Sequence, residues 1–234
     1  MKRIHGVIFD LDGTLYSLNG RQLRMVMILW RDLGVLRHLS GARSWIRTQS
    51  FDNKEALFEA FYGELGRRAR ITPKKAEEWY ETRFLDSFVK MLATKAKVRP
   101  GLLELLRSLR DDGVKLAVVS DFGRVSERLD ALGIPSEAFD VLWAAEDLGV
   151  LKPSPKPLKA LADKWGVEPG TVIVVGDRED LDAVCARAAG MEFLGVREGS
   201  RPVGTGREYV SWPTALRVLE ARTSSGKEYL NESL

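Results

Sequence analysis

Five side chains stand out for what they can do together. Asp10 and Asp12 sit one residue apart in "VIFDLDGTLY", where an apolar run ends. Ser120 ends "KLAVVS", Asp177 follows "TVIVVG", and Lys152 lies in "GVLKPSPKPL". Carboxylates crowded into one crevice raise its energy unless a cation joins them. Oxygen-rich ligation suits magnesium, which keeps some of its waters and accepts a few carboxylates plus substrate oxygens. A hydroxyl and an ammonium then offer a hydrogen-bond donor and a positive charge to phosphate oxygens. Such a set fits phosphoryl transfer, where positioning and charge neutralisation carry most of the catalysis. Each piece alone has a plainer reading. Asp12-Gly13 can be a turn, Gly176-Asp177 a helix entry, Ser120 a helix cap, and a lone Lys-Pro a surface loop.

The elements that carry these residues decide between the readings. Residues 4–9 read as a buried strand. From about Leu23 the pattern turns helical and stays so to about Thr94, with no strand signal between. Within that block, Leu57, Phe58, Phe61, Tyr62 and Leu65 recur at helical spacing. Asp52 with Glu55 resembles a capping box, and Thr72-Pro73 marks a further start. The helix from Pro73 carries Ala76, Trp79, Tyr80, Phe84, Phe88, Met91 and Leu92 on its apolar side, aromatics better suited to packing than to a ligand cage.

After "KVRPG" the chain alternates. Helices are expected at 101–112, 124–132, 155–166 and 180–190, with strands at 115–120, 139–144, 171–176 and 192–196. A short "EYV" and a helix at 213–222 close the pattern, and residues 223–234 read as a frayed polar tail. Apolar strands separated by amphipathic helices indicate a Rossmann-like parallel sheet covered on both faces. The α/β core is expected from 1–15 and 98–222, with an all-helical cap domain inserted at 16–97. In such sheets ligands sit beyond the carboxyl ends of the strands. Asp10, Ser120, Lys152 and Asp177 all fall at or just after strand ends, so parallel pairing brings them to one edge.

Bulk properties narrow the classes. The 234 residues are 44% hydrophobic, enough for one domain with a sizeable insertion. No apolar run approaches the ~18 residues of a membrane span, and "MKRIHG" is not a signal-peptide start. One cysteine, Cys185, excludes an internal disulfide. The two histidines, His5 and His38, make a histidine-built zinc site a poor fit. A cytoplasmic location and no membrane partner are expected. Net charge is +3, but residues 16–97 hold 16 Lys/Arg against 9 Asp/Glu while the rest holds 20 against 24. A basic block beside an acidic core can attract a small anion or a nucleic acid, or simply be a solvated helix surface.

The four segments resemble, in order, the four motifs of the haloacid dehalogenase (HAD) superfamily. "DLDGT" matches the first, "VVSD" the second, "LKPSP" the third and "VVGDREDLDAVCARAAGM" the fourth. The resemblance implies a magnesium-dependent phosphatase of small phosphate monoesters. Asp10 would be the nucleophile that forms an aspartyl-phosphate, and Asp12 the general acid and then base. Asp10, the backbone carbonyl of Asp12 and Asp177 would hold Mg2+. Ser120 and Lys152 would bind the phosphoryl group beside Asp121, with Thr14 and Asp182 in support. The family's dehalogenating branch lacks the second aspartate, so Asp12 favours phosphate esters. Three positions depart from the common pattern: Asp121 stands where Asn or Thr is usual, Arg178 where a small residue is usual, and Ser154 where an Asp is frequent.

The helical block resembles the family's type 1 cap, in which Arg21, Arg24, Arg43 and Arg47 are candidate substrate contacts by location. The expected partner is a small phosphorylated metabolite and not a nucleic acid, which salt-sensitive retention would reveal. A phosphomutase of the same superfamily and a non-catalytic binding member are the alternatives. Substrate identity and oligomeric state stay open.

Overall fold

A computed structural model describes residues 3–17, 32–197 and 209–223. Its centre is β1 (Gly6–Phe9), four residues buried on both faces. The chain leaves it through β2 (Tyr16–Ser17) and returns through β3 (Lys97–Val98), and these two short strands pair antiparallel. The sheet continues with β4 (Lys115–Ser120), β5 (Val141–Ala144), β6 (Val172–Gly176), β7 (Glu192–Val196) and β8 (Tyr209–Val210). Its order is β5-β4-β1-β6-β7-β8, with every neighbouring pair parallel.

Strand periodicity sorts the core. Val7, Phe9, Leu116, Val118, Ile173 and Val175 point to one face, while Ile8, Ala117, Val119, Val172 and Val174 point to the other. The second face packs on Leu158, Leu161 and Ala162 of helix Lys156–Trp165. The first face packs on Leu102, Leu105, Leu106 and Leu109 of helix Leu102–Asp111. Each such buried leucine contributes about 1.5–3 kcal/mol, so both faces are covered, as near-continuous apolar strands require.

Between β2 and β3, the described residues form only helix: Leu33–Ile46, Lys54–Ala69, Pro73–Glu78 and Leu85–Lys95, the last two joined by a π-helical turn at Trp79–Phe84. Thr72 caps the third helix, accepting from Lys75 N at 3.3 Å, with Pro73 in its first turn. Asn53, not Asp52, caps the second. Its extended backbone lets Oδ1 accept from Ala56 N at 2.9 Å. The π turn keeps Trp79, Tyr80 and Phe84 inward together. Tyr80 and Phe61 meet edge to face at 4.9 Å, a packing role for these aromatics. Arg21, Arg24 and the start of the first expected helix lie outside the described residues, as do 224–234.

Candidate active site

The registers bring the predicted residues to one edge. Phe9 pairs with Val118 on one side and Val175 on the other, and Asp10 N donates to Val175 O at 2.8 Å. Asp10, Ser120 and Asp177 therefore leave three adjacent strands at the same level. Lys152 comes from the loop between β5 and helix Lys156–Trp165, and its ammonium joins them. Nζ lies 2.8 Å from Asp10 Oδ1 and 2.8 Å from Asp182 Oδ1. Thr14 Oγ1 donates to the other Asp10 oxygen at 2.9 Å. All four of these side chains are buried.

Two glycines permit this crowding. Gly13 has φ +93°, and a Cβ there would overlap the Asp177 carboxylate. At Gly176 a Cβ would come within 2.5 Å of Asp182 Oδ2, because the π-helical turn Glu179–Ala183 folds Asp182 back against the end of β6. Asp182 Oδ2 accepts from Arg178 N at 3.1 Å, so both its oxygens have donors. Arg178 itself pairs outward with Asp180 at 2.6 Å. Ser154, in the third motif, accepts at its carbonyl from Cys185 Sγ at 3.0 Å and lines no part of this cluster.

Asp10, Asp177 and Asp182 each offer an oxygen, all within 4.8 Å of one another. The electrostatics register the strain of that arrangement. Burial pushes the Asp10 carboxyl up to about 8; Lys152 opposes the rise, and Asp182, Asp12 and Asp177 add to it. For Lys152, burial pulls downward, but Asp10, Asp182 and Asp121 outweigh it and hold the ammonium well above its ordinary value. An all-oxygen, carboxylate-rich set with excess negative charge fits a hard divalent cation.

Asp12 occupies a separate arm of the cluster. One oxygen takes the Tyr16 hydroxyl and the Arg128 guanidinium, and the other lies 3.3 Å from Ser120 Oγ. Arg128 also donates to Ser120 Oγ at 3.0 Å. Neither Arg128 nor Tyr16 was marked by motif. The signal lay in helix Val125–Leu132, where Arg128 falls on the buried stripe with Val125 and Leu129. A fully buried arginine on such a stripe needs an anionic partner.

Two arginines of the helical block reach the site. Arg47 donates to Asp121 Oδ2 at 2.7 Å and to Lys152 O at 3.1 Å. Asp121 Oδ1 takes the Lys152 N–H at 2.8 Å, so this departure from the family pattern serves as a junction. Arg43 is buried between Asp121 O (2.6 Å), Glu146 (3.3 Å) and the Tyr80 hydroxyl (3.0 Å), with Phe122 beneath it. It acts as a tie between block and sheet.

Residues 4–190 match the family of haloacid dehalogenase-like hydrolases, and the chain belongs to that family. It is 32% identical to a phosphoglycolate phosphatase of Rhodospirillum rubrum over 94% of this chain and 88% of that one. A glyceraldehyde 3-phosphate phosphatase of Methanopyrus kandleri is 28% identical over 84% of this chain and 85% of its own. The fold matches the 2-haloacid dehalogenase from Pseudomonas syringae pv. Tomato with a TM-score of 0.66, covering 94% and 99% of the two chains at 22% identity. Within the family, the chain is a hydrolase of the phosphatase type. Among the described residues, no helix is long and apolar enough to cross a membrane.

Proposed function

We propose that the chain hydrolyses small phosphate monoesters with magnesium, through a phosphorylated Asp10. The observation that carries this reading is the Asp10 carboxylate at the end of β1, gripped on one oxygen by Thr14 and on the other by Lys152. The donors fix its rotamer, Lys152 opposes the rise that burial causes, and a bound cation would complete the ionised form that attacks phosphorus. Asp10, Asp177 and the backbone carbonyl of Asp12 would hold magnesium, which supplies positive charge to the phosphoryl oxygens. An oxygen of Asp10 forms the new bond to phosphorus as the ester P–O bond breaks, and Asp12 gives its proton to the departing oxygen. In the second half, Asp12 takes a proton from water as that water attacks phosphorus, and Asp10 is released with inorganic phosphate. Lys152 balances charge throughout, and Ser120 donates to a phosphoryl oxygen.

Residues 16–97 form, in this reading, a cap that closes over the sheet edge and excludes water until the phosphoenzyme has formed. Arg47 is the cap cation beside Asp121 and the Lys152 loop, where an anionic substituent of the substrate would come. With relatives named for phosphoglycolate and glyceraldehyde 3-phosphate, esters of that small size are the first substrates to try.

The test is hydrolysis of an aryl phosphate with magnesium and with chelator, comparing wild type with Asp10→Asn. Magnesium-dependent turnover that Asp10→Asn lowers by at least ~1000-fold is expected. Equal rates for the two proteins would remove the mechanism. Bisphosphate-dependent isomerisation without phosphate release would favour the mutase instead.

A further inference from the structure

Among the described residues Arg128 is the largest wholly buried side chain, and the reaction above gives it nothing to do. Its guanidinium reaches two groups of the site at once. One terminal nitrogen binds Asp12, and the other lies 3.0 Å from Ser120 Oγ and 2.9 Å from Phe122 O. The flat fork therefore fixes the separation between Asp12 and Ser120 as well as the direction of each. On its far side Cζ stands 4.6 Å from the centre of the Phe88 ring, contributed by the helical block. The Tyr16 hydroxyl donates to the same Asp12 oxygen.

We propose that Arg128 is a positioning residue that aims the Asp12 carboxyl at the leaving-group oxygen without touching the substrate. Among the described residues, Arg128 makes no hydrogen bond to Asp10 or to its donors Thr14 and Lys152, and Asp10 acts on it only through charge. Losing its hold on Ser120 weakens phosphoryl binding for every ester alike, whereas losing its hold on Asp12 slows proton delivery, which only some leaving groups need. As the ester P–O bond breaks, its electron pair passes to the departing oxygen, which takes the Asp12 proton and leaves as an alcohol. An aryl oxygen tolerates that negative charge unaided; an alkyl oxygen does not.

The proposal rests on the phosphatase reading, and the choice of leaving group separates the two. Wild type, Arg128→Met, Arg128→Lys and Tyr16→Phe are assayed with 4-nitrophenyl phosphate and with glycerol phosphate. The expected result is an alkyl-to-aryl ratio of kcat/KM at least ~10-fold lower in Arg128→Met. Arg128→Lys, which keeps the charge and loses the fork, should share most of that fall, and Tyr16→Phe should show a smaller one. Each ratio comes from a single preparation, so partial misfolding cancels. If Arg128→Met fails to fold, the other two variants give the same readout. Ratios within twofold of wild type would make Arg128 a structural cation and overturn the proposal while the phosphatase reading stands. Wild type inactive on both esters would remove both.

Discussion

Lys152 holds two carboxylates that would otherwise face each other in a buried site. Its ammonium is 2.8 Å from Asp10 and 2.8 Å from Asp182, and all three side chains lie out of water. Lys152→Met keeps the stem and removes the charge. Leaving both acids without that partner should cost about 3–5 kcal/mol and lower turnover by at least ~100-fold. Urea unfolding and aryl phosphate kinetics measure the two effects. A variant as stable as wild type would mean that the acids find compensation elsewhere. At this scale the sequence was most readable where type and position coincide. Asp10, Ser120 and Asp177 each close an apolar run, so strand ends and chemistry announce one another. Arg128 gave only the fainter signal of its place on the stripe with Val125 and Leu129; by residue type alone it looks like a surface charge next to Glu127 in "VSERLDAL". Its partner Asp12 is 116 residues away, and no local pattern encodes that meeting.

The elements were legible where periodicity is strong. β4 and β7 begin and end within a residue of the apolar runs at 115–120 and 192–196. The π-helical turns were not, because an inserted residue leaves an apolar stripe nearly unbroken and changes only which carbonyl is free. At Trp79–Phe84 the freed Glu81 carbonyl accepts from Arg124, a non-glycine residue at φ +55° that opens helix Val125–Leu132. The short helical turn after β5 carries a second hidden group. Burial pushes Glu146 up to about 7, against the opposing pull of Arg43. Its pKa is higher in the folded chain than in the unfolded one. The stability it contributes is thus present below the unfolded value and lost as pH rises toward 7. Wild type should lose roughly 3 kcal/mol more than Glu146→Gln between about pH 4.5 and 7. Parallel pH profiles for the two proteins, measured by denaturant unfolding, would contradict this.

Across the whole molecule, the uneven charge of the sequence acquires a use. Arg43, Arg47 and Lys54 of the helical block meet Glu146, Asp121 and Asp147 of the sheet part. Part of the block's basicity is therefore turned toward the sheet and partly neutralised there, and Asp121 tempers what Arg47 can offer an anionic ligand. Asp121→Asn tests the balance, since it retains an acceptor for the Lys152 N–H and removes one negative charge beside the proposed phosphoryl site. Stability should change by about 1 kcal/mol or less, while KM for an anionic ester falls a few-fold at low salt. A higher KM would show that the Arg47 pair matters more to the site than the charge it adds.

The β2–β3 ladder, through which the chain crosses twice between sheet and block, has a further consequence. Tyr16 is half of one rung, opposite Val98, and its hydroxyl also grips Asp12. The side-chain donors of Asp10 both come from the sheet part, although Arg47 of the block also holds the Lys152 backbone; those of Asp12 depend on the crossing and, through Phe88 against Arg128, on the block. The two carboxylates are thus wired to different circuits. In the proposed reaction, displacing the block would slacken the proton donor more than the nucleophile, an interlock in which half the chemistry waits on assembly of the whole.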